Sequence, residues 1–62
     1  MIEKLAAAIE AKRSQFMECY EAFGVGNRLT TIAHSELTGL EDAFKIVAGE
    51  SYFDYWCRLH GV

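Results

Sequence analysis

The chain contains no proline, and apolar residues run along its whole length, which excludes a disordered or low-complexity segment. Basic residues are scarce. Six stand against nine acids for a formal net charge of −3, and no basic cluster is larger than Lys12-Arg13. That balance excludes broad electrostatic binding to nucleic acid or to an anionic membrane surface. Long hydrophobic runs are missing too, since none approaches the roughly 20 residues needed to cross a bilayer. Cysteine is limited to Cys19 and Cys57. Met1-Ile2-Glu3-Lys4-Leu5 lacks the apolar stretch of a secretory signal, so the expectation is a cytoplasmic protein with both thiols reduced. Length is short as well. A 62-residue chain buries only about 60% of the surface its unfolded form exposes, and a core of that size supplies no more than ~3–5 kcal/mol. With no disulfide expected, oligomerisation is the leading source of the missing stability.

What is present is helical periodicity. Ile2, Leu5, Ile9, Phe16, Cys19 and Phe23 fall at alternating three- and four-residue steps, with Lys12 as the polar intruder. Ala6, Ala7, Ala8 and Ala11 add high helix propensity. The pattern predicts a helix over about 2–23. Gly24-Val25-Gly26-Asn27 then supplies a turn and a capping asparagine. A second helix is predicted over about 28–48, with Leu29, Ile32, Ala33, Leu37, Leu40, Phe44 and Val47 on one face and Gly49 at its end. Thr38-Gly39 is a candidate kink, because interior glycine costs about 1 kcal/mol relative to alanine. The matched lengths favour one continuous helix packed antiparallel on the first. In that register facing residue numbers sum to about 51. Phe44 then meets Ala6-Ala7-Ala8 and Phe16 lies near Ser35 and Gly39, which gives Gly39 an expected packing role. Lys12 and Glu36 fall near each other in this register, and the expectation is two separate solvated charges rather than an ion pair.

Ser51-Tyr52-Phe53-Asp54 reads as a capping box that starts a short third helix over about 52–60. Tyr52, Phe53, Tyr55 and Trp56 concentrate half of the chain's eight aromatics there. Phe53 and Trp56 share one side of such a helix, and Tyr52, Tyr55 and Leu59 share the adjoining side. The fold class read from these segments is therefore all-α: one domain, an antiparallel two-helix hairpin with a short aromatic C-terminal helix, dimerising into a four-helix bundle. The predicted function is a structural or protein-interaction module acting by self-association or partner binding. Its expected interface residues are Ile9, Phe16, Phe44, Tyr52, Phe53, Tyr55, Trp56 and Leu59.

Other chemistries have weaker signals. Phe23-Gly24-Val25 followed by Asn27-Arg28-Leu29-Thr30-Thr31-Ile32 resembles the turn and recognition helix of helix-turn-helix DNA-binding proteins. In that alternative Arg28, Thr30, Thr31 and His34 face the major groove. Tyr20 and Thr30 depart from the family's usual small and aliphatic residues around the turn, and Arg28 is the only base on the reading helix. Zinc would need Cys57 and His60 joined by Cys19 or His34, and no second paired motif exists. A Cys57–His60 or Cys19–His34 dyad has no identifiable third group to orient the histidine, and a hairpin this small is not expected to offer a substrate-sized pocket. The reading is therefore no enzyme, no cofactor and no metal. Leu40-Glu41-Asp42-Ala43-Phe44, with the following Gly49 and aromatic tail, resembles small uncharacterised helical proteins encoded in bacterial phage and prophage regions. The resemblance covers the second half of the chain and implies an intracellular, mobile-element origin, with no functional residue to carry over.

Overall fold

Strong helix formers with three consecutive alanines at 6–8 carry the first helix, α1, without interruption from Ile2 to Phe23. The structure is a computed structural model that describes every residue from Met1 to Val62. At Gly24 the chain turns out of the helix with φ of +82°, a value that favours glycine, and its N–H donates to the Tyr20 carbonyl at 2.9 Å. Asn27 then opens α2, Arg28–Ala48, by accepting a 2.8 Å hydrogen bond from the Leu29 N–H. α2 is continuous through Gly39 and ends at Gly49 in the left-handed conformation. Ser51 opens α3, Tyr52–His60, its Oγ accepting from the Asp54 N–H at 3.1 Å.

The molecule is all-helical, and α1 packs lengthwise against α2. Early α1 residues meet late α2 residues, as antiparallel packing requires. Lys12 Nζ lies 3.6 Å from Glu36 Oε1, and one turn further along α1 the Phe16 ring sits 5.4 Å from that of His34. α3 folds back over the open end of the hairpin. Ile9, Leu37, Phe44 and Tyr52 form the core, with Ile2, Leu5, Ala6, Phe16, Leu40, Ala48 and Tyr55 packed around them. Phe44 is the centre of this cluster. It meets Tyr52 edge-on at 5.5 Å and Tyr55 at 5.0 Å, geometries that suit the ring quadrupoles.

Three expectations change. The inner face of α2 is Thr30, Ala33, Leu37 and Phe44, whereas Leu29, Ile32 and Val47 are exposed. An advance of 100° per residue rotates Leu29 and Ile32 to one side of that line, and a single facing helix covers too narrow a strip to reach them. Gly39 has no packing role within the chain, because a Cβ placed on it meets no atom within 4 Å. Lys12 and Glu36 are paired rather than separate, and Lys12 also donates to Gln15 Oε1 at 2.9 Å.

Candidate functional site: the exposed faces of α2 and α3

The sequence of α3 places its aromatics in two sets roughly 100° apart. Tyr52 and Tyr55 face the core, and the intervening Phe53 points away and is 68% exposed. Trp56 and Leu59 are exposed as well, and the Trp56 ring stacks on His60 at 4.2 Å. Burial of the Tyr52 hydroxyl is offset by a hydrogen bond. Tyr52 donates to a carboxylate oxygen of Glu10 on α1. Burial, and then this hydrogen bond, push the Tyr52 phenol up to about 12. On the outer side Arg58 donates to Glu50, which holds the guanidinium above its usual range, and its charge lies 5.6 Å from the centre of the Tyr55 ring.

Between α1 and α3 this arrangement leaves an open groove of about 390 Å³. Ala6 and Ala7 keep its floor low, Glu3 and Glu10 give it negative charge, and Tyr55, Trp56 and Leu59 form the apolar wall. A concavity of this size corrects the expectation that so small a hairpin offers none. A second hollow of about 280 Å³ lies at the turn, lined by Phe16, Val25, Thr30, Thr31 and His34. Thr30 is buried beside it, and its Oγ1 has no hydrogen-bond partner.

α2 carries a further apolar stripe away from α1. Leu29, Ile32, Ile46 and Val47 are all exposed on it, with Ala43 half-buried among them. Periodicity alone puts Leu29, Ile32 and Val47 on the core face and does not single out Ile46. Two heptad-spaced sets overlap on one helix, and their spacing does not say which set the partner helix covers.

The eight expected interface residues divide into three groups. Ile9 and Phe44 are 0% exposed and Tyr52 is buried, so these three form the chain's own core and have no surface left for a partner. This corrects their assignment: within the single chain Tyr52 of α3 packs with Ile9 of α1 and Phe44 of α2 in one cluster. Phe16 is half-buried between Tyr20 and His34, and Tyr55 is half-buried over Phe44. Phe53, Trp56 and Leu59 remain open.

The proposed reading helix for DNA is also altered. Thr30 is buried, leaving Arg28, Thr31 and His34 on the surface, and the His34 ring lies against Phe16. Cys19 and Cys57 are free thiols, and no three His, Cys, Asp or Glu side chains come together as metal ligands. No helix is long and apolar enough to cross a membrane. No family model, curated protein or solved structure matches this chain.

Proposed function

We propose that this chain is a structural interaction module that works by self-association, two hairpins joining as a symmetric four-helix bundle. One observation carries the reading. The isolated chain exposes 4467 Å², roughly a tenth more than the ~4,000 Å² expected of a compact monomer of its 7.0 kDa mass. Its radius of gyration of 12.4 Å exceeds the roughly 10.6 Å expected for this length in the same sense. Large apolar side chains contribute to that surface, at Leu29, Ile32 and Ile46 on α2 and Phe53, Trp56 and Leu59 on α3. Burying such side chains stabilises by about 1.5–3 kcal/mol each, which is large beside what a core of this size supplies. Only six of the 62 residues are buried in the single chain, so association is the route by which a core of ordinary extent forms.

Sedimentation at micromolar concentration, paired with thermal melts over a roughly 100-fold concentration range, tests the reading. A dimer whose melting temperature rises with concentration is the expected result. A monomer with a concentration-independent melt overturns it.

A further inference from the structure

We infer that the hollow at the turn end is a binding site for a small neutral aromatic molecule carrying one hydrogen-bonding group, with the Thr30 hydroxyl as its polar anchor. This site goes beyond the self-association reading and does not rest on it. About 280 Å³ is open here between α1, the turn and the start of α2. Phe16 and His34 supply two tilted rings with centres 5.4 Å apart, and Val25 of the turn is its solvent-exposed edge. Thr30 lines the same hollow and is 2% exposed, yet its Oγ1 has no hydrogen-bond partner.

The orphaned hydroxyl points to a ligand. A buried hydroxyl without a partner weakens the fold, and valine would fill the same shape there without that penalty. Threonine in a helix can return its hydroxyl to the carbonyl four residues back. The next residue does so, Thr31 Oγ1 donating to the Asn27 carbonyl at 3.2 Å. Thr30 does not. A local rule broken with no gain inside the chain is expected where a site serves something outside it. The lining sets the chemistry of the occupant. None of the five lining residues is Lys, Arg, Asp or Glu, so a charged ligand would lose hydration with no counter-charge, and a neutral one is selected. The Phe16 and His34 rings suit an aromatic guest. Size agrees, because a dry apolar cavity of ~150 Å³ holds benzene and the larger volume here takes one or two fused rings. Oγ1 is covered from water in the empty hollow. Threonine divides between two χ1 rotamers in a helix, so a turn about one bond brings the hydroxyl to the guest with the backbone unmoved.

Indole and indene test this on the whole chain. They share one shape, and only indole carries an N–H to donate to Oγ1. Titrated into isotope-labelled chain and followed by nuclear magnetic resonance, indole is expected to shift the amides of Val25, Thr31 and His34. It should bind about tenfold more tightly than indene. In Thr30→Val that preference should disappear while circular dichroism shows the helices kept, and in Thr30→Ser, which retains a hydroxyl, it should persist. The first comparison uses the unaltered chain and so stands even where a variant fails to fold. It also reads the same in a monomer or a dimer, so it succeeds or fails apart from the association reading. Equal affinity for indole and indene in the parent overturns the inference, as does a preference that survives Thr30→Val. Shifts confined to Tyr55, Trp56 and Leu59, or no shift at millimolar indole, overturn it too.

Discussion

The half of the hairpin beneath α3 and the half that ends in the turn are made from the same two helices, and they are packed differently. At the α3 end, Ile9 and Phe44 are sealed and Tyr52 of α3 is nearly so, with Leu37 closing the cluster at mid-hairpin. Toward the turn, Met17, Tyr20, Phe23 and Val25 stay exposed, and the buried residues are Thr30, whose hydroxyl has no partner, and the small Ala33. Two helices touch along one line, and each shields only a strip of the other, so apolar side chains at the edges of the strip remain wet. A third element converts the line into an enclosed volume. α3 is nine residues long and can do this at one end only.

The contrast can be broken by substitution. Phe44→Ala should have the largest effect, about 3–5 kcal/mol, since it empties a fully enclosed site; because a core of this size supplies no more than that, loss of the far-ultraviolet helical signal is expected at room temperature. Next is alkaline pH. The Tyr52 phenol is raised from 10.0 to about 12 in the folded chain, so the folded state holds a proton that the unfolded state releases. Its contribution is complete below about pH 10 and is lost as pH rises toward 12. Tyr52→Phe should flatten the urea midpoint across that window, and a slope unchanged by the substitution would assign the loss to other groups. At the turn end, Thr30→Val keeps the shape and removes an unpartnered hydroxyl, so a gain of about 1 kcal/mol is expected in urea denaturation. The smallest effect should be that of Phe23→Ala, within about 0.5 kcal/mol in the monomer because this ring is largely wet. A cost matching that of Phe44→Ala would show that the two ends are equally well packed and would remove the comparison.

The helices and their ends were legible because they are written in neighbouring residues. Gly24 and Gly49 take the positive φ that few other residues tolerate, and Asn27 and Ser51 place an oxygen over the N–H groups that follow. Facing directions were legible only in part. The apolar arc of α2 spans both Leu37 and Ile32, and a 3.6-residue period assigns both to it without saying which lies under α1. Thr30 stands seven residues before Leu37 and so lies on the buried line itself, where its polarity disguised it. On α3 the division between Tyr52 with Tyr55 and Phe53 with Trp56 followed from spacing. Which set turns inward did not, because the partners of Tyr52 and Tyr55, Phe44 on α2 and Glu10 on α1, lie on other helices and are invisible to local pattern. The pairing of Lys12 with Glu36 likewise depends on register to within a turn, which lengths alone do not set.

The brevity of α3 has a consequence for motion. A helix of nine residues is too short to persist alone in water, so it exists only while Tyr52 and Tyr55 are seated on Phe44. Undocking and melting are then one event, a local opening that leaves α1 and α2 in place. Each such opening bares the Phe44 ring and removes one wall of the groove. The amides of α3 report how often the core is briefly uncovered, and any partner or protease that waits for Phe44 waits on that same clock.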